Sequence, residues 1–139
     1  MNELPLFQGE LLRLAALNAE TDAELLAGWT QDTEFIRLLD NDPAMPSTPS
    51  KERSRIDKDE DSPDTLVFAL RTLIDDRMIG FIALFGIQWH AGTAFMGIGI
   101  GDKDYWGKGY GTDATRLLLR YAFDALHLRR ISLDVFEYN

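Results

Sequence analysis

The sequence predicts an α/β (α+β) fold: one domain on a mixed, mainly antiparallel sheet, with a central β-loop-α-β unit and flanking helices. Three observations carry this. Residues 65–101 hold three strand-forming runs separated by turn residues, the pattern of an antiparallel meander. Residues 105–112, Tyr-Trp-Gly-Lys-Gly-Tyr-Gly-Thr, place glycines at alternate positions between the last of those runs and a strong helical pattern. The length of 139 residues suits a single domain large enough for a real core.

In chain order, Glu10 to Leu17 alternates Leu12, Leu14 and Ala16 with Leu11, Arg13 and Ala15, the period of a strand. Asn18 or Thr21 offers an N-cap, with Asp22 and Glu24 in the first turn, for a short amphipathic helix to Gln31. Thr33 offers a cap for a second helix with Phe35, Ile36 and Leu39 apolar. Pro43, Pro46 and Pro49 then interrupt regular structure. Pro49 to Asp61 is highly charged, with Ile56 its only large apolar residue, and reads as an exposed helix or a mobile loop.

Thr65 to Leu73, Met78 to Ile87 and Thr93 to Gly101 are the meander strands, with turns at Asp75-Asp76 and at Gln88 to Gly92. The third carries Gly97, Gly99 and Gly101 in alternation, which leaves one face poor in side chains and open to another molecule or to tight packing. Asp113 to Leu128 sets Ala114, Leu117, Leu118, Tyr121, Ala122 and Ala125 on one helical face. Asp113, Arg116, Arg120 and Asp124 form a polar stripe on it. Arg130 to Phe136 completes the unit as a strand parallel to the glycine-bearing one.

The glycine-rich loop is the stretch with chemical content. Glycine reaches φ > 0 and has no Cβ, so such a loop can turn several backbone N–H groups toward one point. The helix behind it adds free N–H groups and the positive end of its dipole, a site for phosphate or pyrophosphate. A plain tight turn is the other reading, and spacing alone leaves both open. The loop is not G-x-x-x-x-G-K-[ST], since Lys108 precedes Gly109. Nor is it G-x-G-x-x-G, since the glycines run G-x-G-x-G.

Composition narrows the partners. There is no cysteine, so disulfides, a thiolate nucleophile and a Cys-based zinc site are excluded. The net charge of −9 resides in residues 1–64, which hold fifteen Asp and Glu against six Lys and Arg; the remainder balances eight against eight. That balance argues against nucleic acid and suits a cationic or amine substrate, or serves as a solvated face. No apolar run reaches the roughly 20 residues of a membrane helix. Met1 to Gly9 carries Glu3 and no basic residue, unlike a secretory signal, so a cytoplasmic location and no membrane partner are expected.

Trp106 to Gly111 resembles motif A of the GNAT superfamily of N-acetyltransferases, Q/R-x-x-G-x-G/A, with Gly109 and Gly111 in the small positions. Trp106 stands where Arg or Gln is usual, a departure common in the branch related to ribosomal-protein N-terminal acetyltransferases. The string IGIGDKDYWGKGYGTDATRLLLRYAF is similar to that branch throughout, and the likeness extends more weakly from GELLRLAAL to LDVFEYN. It implies a GNAT-like fold and acetyl-CoA as co-substrate, with no metal. The implied contacts are the backbone of Ile98, Gly99 and Ile100 for the pantetheine arm, and Lys108, Gly109, Tyr110, Gly111 and Thr112 around the pyrophosphate. Asn139 matches a further coenzyme A contact. Trp29 and Phe35 fall where the family covers its substrate entrance, as pocket lining or as core anchors.

The family normally continues with another helix and two strands, including a Tyr that often serves as general acid. Residues 1–139 are therefore expected to form a single, C-terminally incomplete domain, whose uncovered surface at 131–136 a second copy or another chain would cover. Asp102, His90 and Glu137 are the candidates for general base, and Tyr138 for a substitute acid; none is assigned to catalysis. The implied function is acetyl transfer to a primary amine: a protein N-terminus, a polyamine, an aminoglycoside or a small amine metabolite. The alternative is a non-catalytic acyl-CoA-binding or dimerising module.

Overall fold

The structure, a computed structural model, describes residues 5–32 and 46–133. The expectations at Thr33, Phe35, Ile36, Leu39, Pro43, Glu137, Tyr138 and Asn139 lie outside the described residues. Five strands form one sheet in the order β1-β2-β3-β4-β5. They are β1 (Leu12–Ala16), β2 (Leu66–Thr72), β3 (Met78–Gln88), β4 (Thr93–Ile100) and β5 (Arg130–Ser132). Neighbours are antiparallel except β4 and β5, which run parallel and pair over Thr93, Ala94 and Phe95. Helices α1 (Ala19–Trp29) and α2 (Pro49–Asp61) join β1 to β2, and α3 (Tyr110–Arg120) joins β4 to β5.

The register explains the layering. Leu14 opposes Leu70, and Phe68 opposes Ile82, so the even positions of β1, β2 and β3 share a face. Leu12, Leu14, Leu70, Ile82, Leu84 and Met96 meet Ala114, Leu117 and Leu118 of α3, and Ala122 just beyond it, to make the main core. The opposite face lies under α1 and α2, which bury Ala23, Ala27 and Ile56. The Arg71 guanidinium ties β2 to α1 through Asp22, Nη2 to Oδ1 3.0 Å.

Local chemistry sets the helix starts. Asn18 caps α1, its side chain accepting from the N–H of Glu20 at 2.9 Å and Thr21 at 3.2 Å. Asp22 reciprocates, accepting from the Asn18 N–H at 2.8 Å. Thr48 caps α2 ahead of Pro49, at a position where proline's missing N–H costs nothing. The charged stretch 49–61 is thus a helix, and not wholly exposed: Glu52 and Ile56 are buried, because they lie one turn apart on the side facing α1 and the sheet.

The 113–128 segment differs from its expected form in two respects. The α-helix begins at Tyr110 and passes at Arg120 into a π turn, Tyr121–Ala125, closed by the Leu126 N–H donating to the Tyr121 carbonyl at 3.1 Å. And Asp113 is no part of a solvated stripe. It is 7% exposed, and its carboxylate accepts from the backbone N–H of Glu10 (3.1 Å), Leu11 (3.0 Å) and Leu12 (3.1 Å). A side chain at Gly9 would overlap that carboxylate. Arg120 grips the same segment further out, Nη2 donating to the carbonyls of Pro5 at 3.0 Å and Leu6 at 2.9 Å.

Two stability outcomes are expected. Asp113→Ala strands three backbone donors and should cost about 2–4 kcal/mol in urea unfolding, with Asp113→Asn less damaging; a loss below about 1 kcal/mol would mean that water replaces the carboxylate. Gly80 stands at the register shift between β2 and β3, and a Cβ there would overlap the Gly99 carbonyl oxygen. Gly80→Ala should therefore destabilise by about 1–3 kcal/mol. An unchanged melting temperature would show that the strands separate without strain.

Candidate functional site

The end of β4 leads into the glycine-rich loop. The Gly101 N–H donates to the Ile79 carbonyl at 2.9 Å, which fixes the alternation along the strand. Gly99, paired with Phe81, turns its main-chain groups toward β3, while Ile98 and Ile100 direct theirs to the other edge. Among the described residues, β5 pairs with that edge over Thr93, Ala94 and Phe95. The Trp106 indole sits at the end of β4, Nε1 donating to the Ile100 carbonyl at 2.6 Å.

After β4 the chain makes a 3-10 turn, Lys103–Tyr105, capped by Asp102. The Asp102 carboxylate is engaged on both oxygens. Oδ1 accepts from the Asp104 N–H at 3.1 Å, and Oδ2 pairs with Arg77 Nη2 at 2.9 Å. Gly107 (φ 71°) and Gly109 (φ 89°) are both left-handed, a conformation that disfavours any residue with a Cβ. Gly109 is the N-cap of α3, with no side-chain hydrogen bond to the helix start. The amides of Tyr110, Gly111 and Thr112 open the helix and have no acceptor one turn back. Lys108 is exposed between the two left-handed glycines. Tyr110 is half-buried, its ring edge-on to Tyr105 at 5.0 Å. At Gly111 the backbone is not left-handed, and a Cβ would meet only Ile100 Cδ1, at 3.7 Å. Nothing internal demands glycine at 111. An uncapped helix start behind two left-handed glycines suits an anion that accepts several backbone N–H bonds.

On the opposite face of the sheet lies a cavity of about 350 Å³ between α1, α2 and the strands. Val67, Phe81, Ala83 and Phe85 form its floor, and Leu26, Trp29 and Ile56 its apolar roof. Glu52, Arg55 and Asp59 of α2 supply its charges. Phe81 is the cross-strand partner of Gly99, so the floor is one strand, about 4.8 Å, from β4. Trp29 serves both as wall and as anchor. It lines the cavity, and its indole occupies the space that a side chain at Gly101 would need. At that position the glycine row is filled by packing rather than left open.

The structure thus brings Ile98, Ile100 and the 107–112 loop to one end of β4. His90 is exposed in the β3–β4 turn, at the other end of the strand. The charged residues of α2 belong to a stretch whose composition predicts an exposed helix or a mobile loop rather than a cavity wall. Their signal was the spacing of Glu52, Ile56 and Asp59 at i, i+4 and i+7. Among the described residues no group of three or more His, Cys, Asp or Glu side chains is placed to hold a metal, and no helix is long and apolar enough to cross a membrane.

The comparisons with known proteins follow the same lines. The family profile for the acetyltransferase (GNAT) domain matches residues 12–139. The Bacillus subtilis (strain 168) protein "Probable N-acetyltransferase YjcK" is 42% identical over 88 residues, 63% of this chain; the matched stretch spans about half, 46%, of that protein's own length. Among solved structures, the GNAT-family acetyltransferase from Bacillus anthracis superposes with a TM-score of 0.79 at 20% identity, over 96% of this chain and 75% of its own. Spermidine N-acetyltransferase from Vibrio cholerae, in complex with CoA and spermine, gives a TM-score of 0.78 at 20% identity, over 89% of this chain and 70% of its own. At that identity the likeness is one of fold. The five-stranded mixed sheet, the glycine loop at the head of α3 and the match over residues 12–139 place the chain in the GNAT acetyltransferase family.

Proposed function

We propose that the protein is an acetyl-CoA-dependent N-acetyltransferase acting on a primary amine. The observation that carries this reading is the uncapped start of α3 behind the left-handed Gly107 and Gly109, close after the end of β4. The amides of residues 109–112 would hold the pyrophosphate, with Lys108 adding charge. The main-chain groups of Ile98 and the N–H of Ile100, whose carbonyl already accepts from Trp106, would pair with the amides of the pantetheine arm and lay the thioester along β4. In the reaction the amine nitrogen attacks the thioester carbonyl carbon. A C–N bond forms and the C–S bond breaks, while the amine nitrogen gives up a proton and the departing thiolate takes one up. The cavity under α1 and α2 is the acceptor side, and its net negative lining suits an amine.

The same reading places the enzyme in the cytoplasm, and the acceptor among protein N-termini, polyamines, aminoglycosides and small amine metabolites. It also has a second copy of the chain covering the apolar surface at the end of β5, where Leu133 is half-exposed; light scattering at twice the monomer mass is the expected result. One observation favours the second reading, a non-catalytic acyl-CoA-binding module: both oxygens of Asp102, the base candidate nearest the loop, are already engaged.

Calorimetry should show acetyl-CoA binding, and a thiol-release assay over a panel of amines should then separate enzyme from binder. Gly111→Val adds a branched side chain where only Ile100 is near, so the fold should survive while acetyl-CoA affinity falls at least about tenfold. Gly109→Val adds backbone strain to the same loss. Unchanged affinity in both variants would make the loop purely structural.

A further inference from the structure

The cavity under α1 and α2 contains a charge arrangement that family membership does not explain. The Glu52 side chain is 4% exposed, yet its partner Arg55, Nη1 to Oε1 3.1 Å, is 64% exposed. A carboxylate withdrawn from water needs a counter-charge, and losing it is expensive. An exposed guanidinium loses little on returning to water. One member of the pair is fixed and dry, and the other is free to leave provided something cationic takes its place. Both line the cavity, where Asp59 adds a further negative charge and the neighbouring walls are apolar.

We propose that Arg55 stands in for a cation on the ligand. An acceptor bearing a second positive charge, besides the amine that reacts, displaces the guanidinium from Glu52 and takes over its ion pair. Position supports this division of labour. Helix α2 packs on α1 and on β2, and β2 lies two strands from β4. Glu52 therefore addresses the end of the acceptor remote from the β4 edge, and the apolar floor accommodates the chain between the two charges. The assignment of which end reacts rests on the acetyltransferase reading; the cation site does not.

The test is calorimetry of 1,4-diaminobutane and n-butylamine against the protein, with and without acetyl-CoA. The diamine should bind at least about tenfold more tightly than the monoamine. Glu52→Gln should erase that difference, and Arg55→Ala, which removes the internal competitor, should tighten diamine binding several-fold. Equal affinity for the two amines in the parent protein overturns the proposal. So does weaker diamine binding in Arg55→Ala, or tightest binding by 4-aminobutanoate that depends on Arg55. If Glu52→Gln fails to fold by circular dichroism, Arg55→Ala, at an exposed position, decides alone. Absent acetyl-CoA binding with the diamine pattern intact would sink the acetyltransferase reading and leave this one standing. Normal acetyl-CoA binding with no preference for the diamine would sink this one alone.

Discussion

The carboxylate of Asp113 holds together the parts of the fold that matter for the site. It sits in the first turn of α3 and accepts from three consecutive amides ahead of and at the start of β1. A buried carboxylate with that many donors is both satisfied and fixed in direction. The consequence reaches the glycine loop. Asp113 shares the opening turn of α3 with Tyr110, Gly111 and Thr112, and its own N–H donates to the Gly109 carbonyl at 3.0 Å. The loop's free amides are therefore held in place by a contact made with the strand at the far edge of the sheet.

A second coupling runs through Trp29. Its indole rests on the backbone at Gly101, where β4 gives way to the loop, and it also walls the cavity under α1 and α2. The same helix end reaches the loop through Asp32, paired with Lys103 at 3.0 Å, whose ammonium lies 5.7 Å from the centre of the Trp106 ring. Trp106 in turn bonds the last carbonyl of β4. The end of β4 and the cavity on the other face of the sheet therefore meet at one small cluster of aromatic and charged side chains. Packing transmits displacement in such a cluster because interiors have little free volume.

Much of the fold was legible because its periods are clean. Val67 to Leu70 and Met78 to Ile87 are dense in strand formers, and Ala114, Leu117, Leu118 and Ala122 repeat at helical spacing and are buried as a set. The loop's conformation was legible because glycine tolerates left-handed backbone, which Gly107 and Gly109 adopt; spacing alone left its role open between an anion site and a plain turn. What escaped were polar residues whose role depends on long-range partners. Asp113 has the same local pattern whether it faces water or three amides a hundred residues away in sequence. Glu52 looked solvated because its neighbours are charged; only the placement of α2 against α1 and β2 buries it. Trp29 could be read as core or as pocket wall, and it is both, since Gly101 lets one face of the ring pack while the cavity takes another.

The contact between Gly80 and the Gly99 carbonyl constrains how this sequence can drift. The obstructing atom is a main-chain oxygen, which every amino acid carries. No replacement on β4 can make room, so a change at Gly80 has no compensating partner. Relief would require the two strands to move apart, and with them the edge of β4 on which the site depends. Neutral variation is therefore closed at this position by backbone geometry rather than by chemistry, and the site inherits its shape from a residue that never touches a ligand.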